Sequence, residues 1–193
     1  DSKIINKLCQ LFLIVIWLCI GMAQAQSALT GAELIKSRFS LIDHHSQPVT
    51  EKTYFGKYAM IFFGFTHCPT ICPLGLSTMT SALNGLGEKS EQITPLFISI
   101  DPERDTPKQL ASYVSRYDPR LIGLTGSQEQ IDQATQAFRA YYGKIKGETK
   151  EAYSFDHSAV IYLMDRKGNY VAHFDSAQGS DKISAQINNI LKD

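Results

Sequence analysis

Neither sign of charge prevails in this chain: 19 Lys and Arg face 19 Asp and Glu, so bulk charge gives no reason to expect nucleic acid or anionic lipid as a partner. No internal repeat or low-complexity segment interrupts the 193 residues, which argues against an array of modules. Cysteine is scarce as well. Of the four present, Cys9 and Cys19 lie in an N-terminal stretch with the marks of an export signal. Lys3 and Lys7 precede an apolar run from Leu11 to Ile20, and Ala23-Gln24-Ala25 has the small-x-small form of a cleavage site, so residues 1–25 read as a signal peptide cut after Ala25. The uninterrupted run is shorter than the roughly 20 residues of a spanning helix. Counting from Leu8 to Ala25, with Gln10 and Gln24 tolerated, brings it close, and a retained membrane anchor is the alternative. Trp17 and Leu18, bulky where a lipobox needs small residues, exclude lipidation at Cys19.

Cleavage removes Asp1, Lys3 and Lys7 and leaves 17 basic against 18 acidic residues, in roughly 165 residues, enough for one domain with its own core. It also leaves Cys68 and Cys72 as the only cysteines, in an oxidising compartment where a disulfide between them is expected. The loop so closed is very small, so its entropic contribution to stability is small. A purely structural role is thereby weakened.

Residues 26–36 are small and polar and read as a linker, with one folded domain over 37–193. Phe39–Asp43 and Val49-Thr50 flank a polar turn, and Tyr58–Phe63 and Ile93–Ile100 are continuous apolar runs typical of buried central strands. Helical spacing follows Pro73 through Leu74, Leu76, Met79, Leu83 and Leu86. Thr106-Pro107-Lys108-Gln109 reads as a capping box opening a helix to about Tyr117. A short strand at Leu121–Leu124 precedes a helix expected over Ser127–Tyr142, with Tyr141, Tyr142 and Lys144 at its end. Ala159–Met164, a turn at Asp165–Asn169, a returning strand at Tyr170–Phe174 and a helix over Asp181–Leu191 complete the chain. This βαβα half followed by a ββα half predicts an α/β fold of thioredoxin type, a central mixed sheet between layers of helix.

Cys68 and Cys72 lie in the turn from a central strand into its helix, beyond the carboxyl end of the strand, where open α/β sheets gather their chemistry. Amides at a helix N-terminus favour an anion, so at least one thiol should be partly thiolate, the form that attacks disulfides and binds metal. One helical turn puts the Cα atoms about 6 Å apart, within range of a disulfide or a shared ion. With His157, alone in Ser154-Phe155-Asp156-His157-Ser158 ahead of an apolar strand, the set is two soft sulfurs and an imidazole, which suits copper; zinc with three protein ligands and a water is the other metal reading. The residues alone leave open whether His157 joins the cysteines or is a surface histidine at a strand entrance. His67, beside Cys68, is a further candidate, whereas His44, His45 and His173 read as solvated turn or strand residues.

Phe63-Gly64-Phe65-Thr66-His67-Cys68-Pro69-Thr70-Ile71-Cys72-Pro73, then Ser99–Pro107 with Asp101-Pro102-Glu103-Arg104-Asp105, then Asp156-His157-Ser158, together resemble the Sco/SenC family of cytochrome oxidase assembly proteins over nearly the whole mature chain. The resemblance implies a thioredoxin-like fold and one copper ion, Cu(I) or Cu(II), on Cys68, Cys72 and His157. It also implies service to the dinuclear copper centre of a terminal oxidase. Many members carry an aspartate between the cysteines; Thr70 stands there and removes a negative charge that bears on copper affinity and docking. Asp101 and Asp156 are candidates for an outer shell around the ligands.

Two functions follow from these residues. The first is a metallochaperone that delivers copper to a copper-accepting oxidase subunit, itself served by another copper chaperone or a thiol reductase. The second is a thiol-disulfide reductase acting on cysteines of a copper-site partner through Cys68 and Cys72 alone. Both place the protein in the periplasm or an equivalent exported space, with any membrane contact made through the N-terminal segment, anchored to the inner membrane if that segment is kept. A peroxiredoxin is disfavoured because Phe65 stands where its threonine is expected, and an ordinary thioredoxin because three residues, not two, separate the cysteines.

Overall fold

The computed structural model describes residues 35–149 and 152–191, so the expected signal peptide or anchor lies outside the described residues. In chain order the strands are β1 (Ser40–Asp43), β2 (Pro48–Thr50), β3 (Tyr58–Gly64), β4 (Ile93–Ser99), β5 (Ile122–Thr125), β6 (Tyr142–Lys146), β7 (Tyr153–His157), β8 (Val160–Met164) and β9 (Tyr170–Asp175). The helices are α1 (Ile71–Gly85), α2 (Pro107–Val114), α3 (Gln128–Phe138) and α4 (Ser180–Ile190).

Seven strands form one mixed sheet in the order β2-β1-β5-β4-β3-β8-β9. Its centre is the parallel trio β3, β4 and β5, with β8 antiparallel on the far side of β3 and β1 antiparallel beside β5. β3 and β4 read as unbroken apolar runs because helices cover both faces. The Phe62 ring fills the space beside Gly75 of α1 and stacks on Phe97, which meets Tyr113 of α2. Phe63, one residue on and so on the opposite face, packs edge-on against Phe138 of α3 and Tyr162 of β8. This is the expected thioredoxin-type arrangement.

Only half of the capping box expected at Thr106 forms: Thr106 Oγ1 accepts the Gln109 amide at 3.3 Å, but the Thr106 amide donates to the Arg104 carbonyl at 3.2 Å, whereas at Ser127 both halves form, with Gln130 reaching back to the Ser127 amide at 2.8 Å. Another expectation fails. α3 stops at Phe138 because Arg139 adopts a left-handed conformation, φ 53°, and the Ala140 amide turns back to the Thr135 carbonyl. Tyr142 and Lys144 belong to β6, not to a helix end, and β6 pairs with β7 as a separate two-stranded sheet, Tyr142 opposite His157 and Lys146 opposite Tyr153. This ribbon, absent from the expected element order, carries the histidine.

Candidate metal centre

β3 ends at Gly64, and the chain turns through Phe65, Thr66 and His67 to bring Cys68 beneath the first turn of α1. The turn is closed by the Cys68 amide on the Phe65 carbonyl at 3.2 Å and is tied to the next loop by Asp105. That carboxylate is fully buried and accepts the Thr66 amide at 2.9 Å, the Thr66 hydroxyl at 2.6 Å and the Ser99 hydroxyl at 2.6 Å. Burial nevertheless leaves its pKa raised, since the charged form loses more hydration than these donors replace. Gly64 is required by space: a Cβ there would lie 2.7 Å from Cys72 Sγ and 2.9 Å from the Phe97 ring.

The N-cap residue of α1, Thr70, makes no side-chain cap bond. Cys68 Sγ takes that place, accepting the Cys72 amide at 3.3 Å. Its thiol is pulled down to about 3, chiefly by the hydrogen bond from the Cys72 thiol, with His157 and the amides of Cys72 and Thr70 adding to this against the cost of burial. Cys72 is fully buried and its pKa is raised, first by the same bond to Cys68 and then by burial and the charges of Cys68 and Asp105. The pair therefore holds a half-exposed thiolate and a buried thiol, matching the expectation of at least one activated sulfur.

His157 ends β7. Its Nε2 lies 3.3 Å from Cys72 Sγ and its Nδ1 3.1 Å from the Ser158 carbonyl. A carbonyl only accepts, so Nδ1 carries the hydrogen and Nε2 presents a lone pair to the sulfurs, the tautomer a metal ligand needs. Phe62 and Phe65 hold the ring edge-on at 6.3 and 5.8 Å between centroids. Cys68 Sγ, Cys72 Sγ and an imidazole nitrogen of His157 all lie within 4.8 Å of one another. Two soft sulfurs and one imidazole nitrogen free of hydrogen suit copper, whereas structural zinc wants a fourth protein ligand.

The other predicted residues fall nearby in different roles. Asp101 is buried and accepts the Tyr153 hydroxyl at 2.8 Å and Arg104 Nε, so it touches the ribbon rather than the ligands. Asp156 is exposed, and the Ser158 carbonyl is the partner of the His157 ring. His67 is exposed and groups with Asp101 and Asp105 within 4.8 Å, not with the cysteines. Those carboxylate oxygens already serve Thr66, Ser99, Arg104 and Tyr153, which makes the group a frame for the turn. Sequence reasoning assigned no role to Thr66, Asp105, Arg104 or Tyr153. Asp105 and Arg104 stand in a quoted motif, and a charged pair between a buried strand and a helix cap is the signal that could have found them.

Comparison with known proteins bears on this geometry. A family model described as SCO1/SenC matches residues 27–192. The human protein named SCO1 homolog, mitochondrial, is 39% identical over 159 residues, which cover 81% of this chain and 53% of that one, so the chain spans about half the length of this relative. The structure of Arabidopsis thaliana ScoI with copper bound matches with a TM-score of 0.77 and 40% identity, over 82% of this chain and 98% of that one. BsSco, described with a disulfide switch as a member of the Sco family of cytochrome c oxidase assembly proteins, matches with a TM-score of 0.64 and 25% identity, over 82% and 94%.

Proposed function

The chain belongs to the SCO1/SenC family, and on that premise we propose that it binds one copper ion through Cys68, Cys72 and His157 and delivers it to the dinuclear copper centre of cytochrome c oxidase during assembly. One observation carries this reading: an imidazole nitrogen in its ligating tautomer lies 3.3 Å from a cysteine sulfur 85 residues away in sequence, with the second sulfur beside it. A chain built only for thiol exchange needs no such nitrogen. Copper is cargo here, so it must leave as well as bind. Of the two sulfurs, partly exposed Cys68 is the one an incoming thiolate reaches first, while buried Cys72 and the imidazole of His157 hold the ion until exchange is complete.

A second reading is favoured by the division of labour between the two sulfurs. Cys68 thiolate attacks a partner disulfide and expels one partner thiolate, forming a mixed disulfide. The Cys72 thiol then attacks Cys68 Sγ, its proton passing to the departing partner sulfur, which releases the second partner thiol and closes the Cys68–Cys72 disulfide. Two electrons pass from this chain to the partner, whose copper-binding cysteines are left reduced.

Both readings place the protein in an exported compartment, the periplasm or its equivalent, in keeping with the mitochondrial designation of the human relative. Among the described residues no helix is long and apolar enough to cross a membrane.

Copper stoichiometry and absorption of the reduced protein, wild type beside His157→Ala and Cys68→Ser, test the proposal. One copper per chain with a thiolate-to-Cu(II) band altered in both variants is the expected result. Absence of tight binding, with Cys68 and Cys72 still exchanging disulfides, would leave the reductase reading in place of the chaperone.

A further inference from the structure

Arg104 and Tyr153 form a contact that the proposed copper chemistry does not use, and it lies at the far end of the strand that carries His157. Tyr153, Phe155 and His157 alternate along β7 and so share one face. Each has a different hold on the body of the domain. His157 reaches Cys72, and Phe155 packs edge-on against Phe65 at 5.3 Å. Tyr153 is gripped by the loop after β4 and by the neighbouring strand β6. The Arg104 guanidinium stacks on its ring at 3.7 Å and donates through Nη1 to its carbonyl at 3.1 Å, its hydroxyl donates to Asp101 at 2.8 Å, and Lys144, itself paired with Glu103 at 3.0 Å, lies 3.7 Å from the same ring.

Among the described residues β7 pairs only with β6, and that ribbon has no strand pairing with the main sheet, so side-chain contacts of this kind help to hold it to the domain. Arg104 also faces the Phe65 ring at 6.0 Å, the ring that supports His157 on its other contacts. Its Nη2 is buried without a hydrogen-bond partner among the described residues. The remaining nitrogens are committed to two targets at once, the Asp101 carboxylate and the Tyr153 carbonyl, and only a planar fork can reach both.

We infer that Arg104, acting through Tyr153, is a positioning residue that sets where β7 presents His157 to the two sulfurs, and so governs how firmly the third ligand holds the ion. This rests on the three-ligand copper reading for its metal-bound consequence. It has a metal-free consequence that stands apart from that reading: the register and rigidity of β7 depend on the clamp.

The test uses Arg104→Lys, which keeps a cation beside Asp101 but cannot serve both targets, with Tyr153→Phe as the milder variant that keeps the ring and loses the hydroxyl. In the metal-free protein, amide exchange at residues 153–157 should speed up in Arg104→Lys and less in Tyr153→Phe, while alkylation of Cys68 stays within about twofold of wild type. With copper bound, loss of the ion to a chelator should be roughly tenfold faster in Arg104→Lys, and the thiolate-to-Cu(II) band should move toward that of His157→Ala. Unchanged exchange and an unchanged band in both variants would overturn the inference. So would a parallel loss of thiol reactivity and copper, which marks general unfolding. If wild type binds no copper the chaperone reading falls, and the amide exchange of β7 alone then decides for or against the clamp.

Discussion

Cys68 and Cys72 hang from the middle of the seven-stranded sheet, whereas His157 ends a two-stranded ribbon with no strand pairing to that sheet among the described residues. The cysteine side is over-determined: β3 is paired on both edges, Asp105 pins the turn with three hydrogen bonds, and Gly64 leaves no free space against Cys72 Sγ. The histidine side is half-exposed and held by aromatic and cationic side chains. For the proposed delivery of copper this inequality is useful, because a site rigid on all sides would resist release as strongly as it captures.

The joint between the two regions is Phe65, buried to 1% exposure and touching Phe155 and His157 of the ribbon. Phe65→Ala should cost about 3–5 kcal/mol of stability, read from the denaturant midpoint, and should loosen the histidine together with the core. A loss under about 1 kcal/mol would mean that the ribbon does not depend on the core in this way. Gly64→Ala confines the damage to the cysteine side. The added methyl must displace Cys72 Sγ or the Phe97 ring, for about 1–3 kcal/mol, and amide exchange of β7 should stay as in wild type.

The smallest effect belongs to a place remote from both regions. His44 accepts the Gly123 amide through Nδ1 at 2.9 Å at the β5 edge, and its pKa is lowered by burial first and by His45 second. A protonated ring cannot accept that bond. The folded state therefore favours the neutral ring, so this part of the stability is complete above about 6.5, the unfolded pKa, and is lost as pH falls from there through the lowered folded value. Urea midpoints at about pH 7.5 and 5 should differ more for wild type than for His44→Gln, by a fraction of the Gly64→Ala effect, with copper spectra alike in both. Equal differences would remove His44 from the pH response.

The cysteine side was the legible one. Tyr58–Phe63 is too apolar to be anything but a buried strand, and the two cysteines and Pro73 mark the helix that follows. That His157 belongs beside the cysteines was legible only through the family pattern, because nothing local ties it to residues so far away. The ribbon was missed for a physical reason. Arg139 gives no glycine signal for the left-handed stop it makes, so helical periodicity ran on to Tyr142, and the alternation Tyr153, Phe155, His157 is only three residues deep. Arg104 and Asp105 were visible as charges in a motif, but their partners, Tyr153 and Thr66, lie 49 and 39 residues away.

The pairing of β8 with β3, Phe62 opposite Ile161, also orders events in time. The two sulfurs are neighbours as soon as α1 forms, but the imidazole arrives only after the chain has been made through β8 and that long-range pairing has closed. A nascent or truncated chain thus brings together the two sulfurs alone, and the finished domain adds the imidazole. An ion that prefers three ligands stabilises the finished domain by mass action and leaves incomplete chains to quality control.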